Sequence, residues 1–441
     1  MALFAILAGC SPGDRSVRTP RHIILISIDT LRQDHVGHYG YERDTTPNLD
    51  ALASEALIYE RAYTTWTWTL LAHMSLLTGL YPSQHGVWRK DASLPADSMS
   101  LAERLSAAGF HTIGLHFPGW LDPSYGFARG FNHYESHQNA EEAEEHMRAA
   151  LAARPKDASL LLFVHLFDVH NGPLSKEKSL YDPPAPFDTA FLPGAREQMP
   201  DGSAKDIWYK DGSVVSPAEH AAIVALYDGG IRYVDSKIGQ WIEIWKAEGI
   251  FEDALFILTS DHGEGLFQRG DRYGGHGEYY EEGLVVPLMM RFPNMRFGGE
   301  RVTQAVSHID LVPTILDALD LPPASDLPGY SLLAGRPKDA LVIAEHPRKD
   351  AEVMYLWPHK LVQSPQAGTT FASDLERDPF EEATVPATGA DFQSMGAALR
   401  ALAAQERARW IHPGKAGTSE PMDPEAAKWL EQIGYGGESD Y

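Results

Sequence analysis

Cysteine is all but absent from this chain: Cys10 is the single one in 441 residues. One thiol cannot close an internal disulfide or build a thiolate zinc cluster, so neither device supports the fold. Long apolar runs are scarce as well, and beyond the N-terminal segment none approaches the length of a membrane-spanning helix. Positive charge is in short supply, with 37 Lys and Arg against 61 Asp and Glu and a net charge of −24. That balance excludes a general nucleic-acid surface and requires that an anionic substrate be met by local cations or a metal ion. What the chain does have is apolar material, 44% of its residues. This suffices to bury one large α/β core and a smaller C-terminal subdomain. No internal repeat and no extended low-complexity segment interrupts it.

Residues 64–79 read Thr-Thr-Trp-Thr-Trp-Thr-Leu-Leu-Ala-His-Met-Ser-Leu-Leu-Thr-Gly. Apolar positions 70, 71, 74 and 77 recur at helical spacing and Gly79 stands where a helix stops, so Thr69 is expected at a helix N-terminus. Unpaired N–H groups and the positive end of the helix dipole converge there, which favours a bound oxyanion and eases formation of a Thr alkoxide. His73, one turn on, shares that face. Trp66 and Trp68 either line a pocket or fill the core, the commoner fate of such residues.

Three apolar strands end in polar chemistry. His22 to Ile28 runs into Asp29, Leu160 to Val164 into His165, Asp168 and His170, and Ala254 to Ser260 into Asp261 and His262. Strands of this kind alternate with helical segments at 46–55, 141–153 and 218–248, as a mostly parallel sheet covered by helices on both faces requires. The helix at 46–55 is expected to start from a Thr46 cap with Pro47 at its first position. In such a sheet ligands bind beyond the carboxyl ends of the strands, so the three clusters are expected to share one crevice. Asp29, Asp261 and His262, with Thr69 as a fourth ligand, suit a divalent cation. The histidine moves the preference from calcium toward manganese, zinc or magnesium without deciding among them, and one ion is expected rather than two. The bland alternative is that each Asp or Gly merely marks a turn. The stretch 171–217, rich in Pro, Gly and Asp, reads as a long surface insertion bordering the site.

These motifs resemble the sulfatase family of the alkaline phosphatase superfamily. Members carry Cys or Ser, then x-Pro-Ser-Arg, before Leu-Thr-Gly, and the first residue is oxidised to formylglycine. Aligning 77–79 puts Thr69 at that position and His73 at the Arg position, so the resemblance implies a sulfatase-like protein working with a plain hydroxyl. Residues 28–32 and 260–264 are similar to the family's two metal-binding motifs, with Thr30 and His262 closer to phosphonate monoester hydrolases. His276 falls in the segment where relatives place a substrate-contacting Lys or His, and His170 in a segment similar to their Asp-Pro-His. Both are candidate catalytic residues beside Thr69 and His73. Arg32, His85 and His116 are candidate substrate contacts, with His85 equally open to holding the loop after the nucleophile helix. His35 and His38 are expected to cap or pack, and Glu281 and Glu282 to form a structural or solvated pair. Further landmarks lie at 130–134, 227–235, 307–314, 374–381 and 430–435.

The implied fold is an alkaline-phosphatase-like mostly parallel sheet, covered on both faces, with a small C-terminal antiparallel sheet and helix. The implied division is 22–335 for the catalytic domain and 336–441 for the C-terminal subdomain and tail. Residues 1–21 form the signal and tether, since Leu7-Ala8-Gly9-Cys10 is similar to a bacterial lipobox. Cys10 would then carry lipid and anchor the protein at the membrane outside the cytoplasm. The implied activity is in-line attack by Thr69 on a phosphate or phosphonate ester of a small molecule, glycan or lipid headgroup. Sulfate esters are the main alternative, because a threonine sulfate lacks the formylglycine route and must be hydrolysed at sulfur. A phosphoethanolamine-type transferase and a non-catalytic binding lipoprotein remain as other readings.

Overall fold

The computed structural model describes residues 19–171, 180–199, 215–269, 274–276, 279–366, 368–382, 385–386, 390–410 and 417–432. Cys10 and its lipobox, residues 172–179 and 200–214 of the 171–217 insertion and the end of the 430–435 landmark lie outside the described residues. Among the described residues no helix is long and apolar enough to cross a membrane.

A nine-stranded sheet organises the chain. The His22–Ile28 strand lies between Ala254–Ser260 and Leu160–Leu166, parallel to both, and His111–His116 and His133–Ser136 continue the parallel array on one side. On the other side Val285–Arg291 runs antiparallel between Ala254–Ser260 and Leu57–Tyr63. All seven residues of the central strand are buried, as expected where helices cover both faces. Its side chains alternate. Ile23 and Leu25 join Leu70, Leu71 and Met74 of the Thr69–Thr78 helix, whereas Ile24, Ile26 and Ile28 join Leu226, Trp241 and Trp245 of the long Pro217–Ala247 helix.

The expected helices form at Pro47–Ala53, Thr69–Thr78, Ala140–Ala153 and Pro217–Ala247. The long one opens with a Ser216–Glu219 capping box and Pro217 in its first turn. The Pro47–Ala53 helix departs from expectation at both ends. Thr46 makes no cap; the Asp235 carboxylate accepts the N–H groups of Asn48 and Leu49 at 3.1 and 2.9 Å instead. The helix stops before Glu55 because the chain turns into the Leu57–Tyr63 strand.

A second sheet of five antiparallel strands, Val342–His346, Ala351–Leu356, His359–Ser364, Thr369–Asp374 and Val385–Pro386, follows. Val342, Ala344, Val353, Tyr355 and Val362 pack into the same core as the Thr69–Thr78 helix. Ile343, Met354 and Leu361 on the opposite face pack on Leu399 and Ala403 of the Ala390–Arg407 helix.

Candidate metal and nucleophile site

Thr69 opens its helix at N1, with Trp68 as an N-cap that supplies no side-chain cap, and Gly79 ends the helix in the left-handed conformation at φ 74°. The first N–H groups of the helix therefore lack intrahelical acceptors. Thr69 Oγ1 lies 3.4 Å from His262 Nε2 and 3.5 Å from Asp29 Oδ2. Asp29 and Asp261 follow paired strands whose ends are in register at Ile28 and Ser260, which sets the two carboxylates side by side.

Thr30, between Asp29 and Leu31, takes φ 55°, a strained conformation for a β-branched residue. Three bonds hold it there. Thr30 N donates to Asp261 Oδ1 at 3.2 Å, and the Tyr227 hydroxyl donates to the Thr30 carbonyl at 2.7 Å while accepting Arg32 N at 2.9 Å. The strain fixes the turn that presents Asp29.

Asp29, Asp261 and His262 are fully buried and offer ligand atoms within 4.8 Å of one another. Asp29 Oδ1 and Asp261 Oδ2 are buried with no hydrogen-bond partner. His262 Nδ1 lies 2.9 Å from the Gly263 carbonyl, the position of a donor, so Nε2 is the nitrogen left for a ligand. Burial and the neighbouring Asp29 push the Asp261 carboxyl above the usual carboxylate range. Burial alone would raise Asp29 too, but His170, His165 and His262 together hold it low. Burial opposes the charged His262, yet the two carboxylates outweigh it and raise its pKa. Buried, orphaned hard acceptors beside one imidazole nitrogen fit a single divalent cation. No other such trio occurs among the described residues.

The remaining candidates divide. His276 packs 4.7 Å from His262, and His170 lies 5.2 Å from His276, so both border the centre. Burial lowers His170, and burial with the charge of His262 lowers His276 to about 3. His73 differs from expectation. Its Nδ1 is 3.0 Å from the Thr69 carbonyl and 3.6 Å from Asp261 Oδ2, and its Nε2 is 3.0 Å from Ser27 Oγ, so it braces the first helical turn beside the candidate metal trio and makes no contact with the Thr69 hydroxyl. Arg32 is held by Asp34 at 2.6 and 2.9 Å and by the Glu264 carbonyl at 3.1 Å. It lines a separate cavity of about 820 Å³ with Arg61, Trp357 and Phe380, not the cluster around Thr69. His85 accepts Val87 N at 3.0 Å and faces Ser75 Oγ at 3.3 Å, which makes it the brace of the loop after the Thr69–Thr78 helix. His116 sits 2.9 Å from the Phe117 carbonyl and stacks on Tyr134 at 4.4 Å, an arrangement of packing. Trp66 and Trp68 are buried in the core, and His35 and His38 pair with Asp228 and Asp50 at 2.7 and 3.0 Å.

Two functional neighbours had no role assigned from the sequence. His165 Nε2 lies 3.4 Å from Asp29 Oδ2, on the oxygen opposite the orphaned one. Glu264, fully buried and raised to about 7 mainly by that burial, stands 3.5 Å from His276 Nδ1. His165 was visible at a strand end, and Glu264 two residues after His262; a supporting carboxylate or histidine is what a ligand set calls for.

Residues 21–321 match the family model described as Sulfatase. The chain belongs to the sulfatase family. As such it is an ester hydrolase of the alkaline phosphatase superfamily, a family whose members are generally metal-dependent. It is 25% identical over 319 residues to an ulvan-active sulfatase of Formosa agariphila, covering 68% of this chain and 61% of that protein. It is 24% identical to an arylsulfatase of Clostridium perfringens, covering 82% and 89%. A multifunctional alkaline phosphatase superfamily protein of Trinickia caryophylli is 26% identical over 79% and 84%. The phosphonate monoester hydrolase of Agrobacterium radiobacter superposes with a TM-score of 0.69 over 91% of this chain and 100% of that chain, at 21% identity. A protein solved with D-glucosamine-2-N,6-O-disulfate gives 0.71 over 89% and 98%, at 18% identity. Sulfatases and phosphonate monoester hydrolases thus share this sulfatase-family fold.

Proposed function

We propose that this sulfatase-family hydrolase uses Thr69 as its nucleophile and cleaves phosphate or phosphonate esters with the help of one divalent cation. The observation that carries the reading is the place of Thr69 Oγ1, at N1 of a ten-residue helix and within 3.5 Å of Asp29 and His262. Asp29, Asp261, His262 and Thr69 would hold the cation, whose charge would offset the two carboxylates and make the Thr69 hydroxyl easier to ionise.

Thr69 Oγ1 attacks phosphorus in line with the leaving oxygen. The Oγ1–P bond forms as the bond to the alcohol oxygen breaks, and the hydroxyl proton leaves toward the acceptors beside it. The first N–H groups of the helix stabilise the equatorial oxygens. His170 and His276 border the departing group and supply hydrogen bonds to it. Water then cleaves the phosphothreonine at phosphorus and restores the hydroxyl. A threonine has no geminal hydroxyl with which to expel sulfate, which favours phosphorus over sulfur; the curated relatives named as sulfatases favour sulfur.

The test is a parallel assay of metal-loaded protein and Thr69→Ala on aryl phosphate mono- and diesters, an aryl phosphonate monoester and an aryl sulfate. Turnover of the phosphorus esters, lost in Thr69→Ala by about three orders of magnitude or more, with a phosphoryl adduct on the Thr69 peptide, is expected. Turnover of the sulfate alone would replace the phosphorus reading with the sulfatase one. The Cys10 lipobox adds that the enzyme works outside the cytoplasm on a lipid anchor, and lipid labelling abolished by Cys10→Ala is the expected result.

A further inference from the structure

The turn that presents Asp29 is held by a helix that supplies none of the candidate metal trio. Asp29 N donates to the Leu166 carbonyl at 2.8 Å, one residue past the paired strands, so its backbone is fixed on the strand side. On the other side stands Thr30, fully buried, with its hydroxyl left without a hydrogen-bond partner and its backbone at φ 55°. A β-branched residue with positive φ and an orphaned hydroxyl is unfavourable on both counts, and such a conformation persists only where its surroundings impose it. Glycine would take the same φ at no steric cost.

The group that imposes it is a phenol. The Tyr227 hydroxyl donates to the Thr30 carbonyl at 2.7 Å and accepts Arg32 N at 2.9 Å, bridging the two ends of the turn. Tyr227 is fully buried in the Pro217–Ala247 helix, and its ring meets His35 edge-on at 5.1 Å and Tyr181 at 5.4 Å. The next residue, Asp228, accepts His35 Nδ1, the Tyr41 hydroxyl and Arg43 Nη1, each at 2.7 Å, and so hangs the segment after the turn on the same helix. The phenol is thereby locked against the turn.

We propose that Tyr227 is a positioning residue that sets the cation affinity of the site: its hydroxyl latches the strained Thr30 turn and so holds the Asp29 carboxylate beside Asp261 and His262. This rests on the reading of those three residues as ligands of one divalent cation. Without the latch Thr30 relaxes to negative φ, the Asp29 carboxylate turns away, and only the fraction of molecules still aligned binds the ion. Because the ion binds the aligned form, saturating cation restores it, and the defect falls on cation affinity and not on kcat at saturation.

The test is calorimetric titration of metal-free protein with manganese, zinc, magnesium and calcium in turn, beside turnover of an aryl phosphonate monoester against cation concentration. Tyr227→Phe is expected to weaken binding of the wild type's preferred ion about tenfold or more, with kcat at saturating cation retained. Thr30→Gly keeps wild-type affinity, and in that background Tyr227→Phe changes affinity little, because a glycine needs no latch to stay at positive φ. A mere loss of packing would lower the melting temperature equally in both backgrounds and leave cation affinity alone. Unchanged affinity in Tyr227→Phe, or equal loss in the two backgrounds, overturns the proposal. Should Tyr227→Phe not fold, the double variant decides: folding and cation binding equal to Thr30→Gly support the latch, and failure to fold overturns it. A wild type that hydrolyses no ester sinks the Thr69 reading separately and leaves the titration to decide. A wild type that binds none of the four ions sinks the metal reading separately. The crystal structure of Tyr227→Phe then decides: Thr30 at negative φ with Asp29 displaced supports the latch, and an unchanged turn overturns it.

Discussion

The two sheets do different work with different material. The nine-stranded sheet delivers chemistry at the ends of its strands, where Asp29, Asp261 and His262 meet Thr69. The five-stranded sheet contributes no residue to the candidate metal trio, yet it is fastened to both ends of the Thr69–Thr78 helix. Glu345 N donates to the Thr65 carbonyl at 2.9 Å ahead of that helix, and Glu345 Oε1 accepts Ser83 N at 2.7 Å beyond it. Lys360, fully buried, bridges Glu281 at 3.0 Å and Glu381 at 2.9 Å and so ties the second sheet to the segment following His276. A strand-end site is only as well aimed as the segments around it, and here the segment that precedes Thr69 leans on the second sheet. The lesson is that the smaller sheet acts as a clamp on the larger one's active end.

The sharpest separation comes from removing chemistry without touching the clamp. Asp261→Asn abolishes metal uptake, measured by elemental analysis, and lowers activity by about three orders of magnitude or more. Without metal the same variant melts no lower than the wild type, and higher where relief of the buried repulsion with Asp29 dominates. Divalent cation raises the melting temperature of the wild type only. A metal-free melting point that collapses in Asp261→Asn would make the site structural instead.

Breaking the clamp reverses the pattern. Lys360→Met strands two buried carboxylates and is expected to cost about 3–5 kcal/mol in chemical denaturation, with metal affinity of the surviving folded protein retained. Glu345→Ala loses one carboxylate acceptor and costs about 1–2 kcal/mol. It also lowers kcat, because the Ser83 end of the Thr69–Thr78 helix loosens, while the backbone bond from Glu345 N to the Thr65 carbonyl remains. Loss of stability with no change in kcat would show that the second sheet does not aim Thr69.

The last effect is a slope against pH. His85 and His308 are buried neutral and lowered to about 3 from 6.5 mainly by that burial. The unfolded chain takes up protons below 6.5 while the folded chain does not, so stability present above that pH is lost on acidification from 6.5 toward 3. His85→Gln is expected to flatten the melting temperature against pH over that interval, by no more than about 1.4 kcal/mol per pH unit. An unchanged slope would mean that His85 is not buried neutral beside Ser75 and Val87.

Much of this was legible beforehand where local pattern and chemistry coincide. The strands His22–Ile28 and Ala254–Ser260 were readable to the residue because a buried parallel strand is an uninterrupted apolar run bounded by polar residues. The Thr69–Thr78 helix was readable from its spacing and Gly79. Side-chain partners were less so. His73, His85 and Arg32 are residue types that catalysis uses, but Ser27, Val87 and Asp34 engage them, and nothing in the spacing from 27 to 73 announces that contact. Thr46 offered a cap, and Asp235, 187 residues after Asn48, supplied it.

The sequence by itself determined the sheet's strands, the helix that starts at Thr69 and the acid and imidazole types of the candidate ligands, since each depends on residues close together in the chain. Only the tertiary structure decided which candidates face Thr69, that His165 and Glu264 stand behind the site, and that Tyr227 bonds the Thr30 turn beside Asp29. Those contacts join segments hundreds of residues apart, and burial, which sets both hydrogen-bond partners and proton affinity, exists only once the segments have packed.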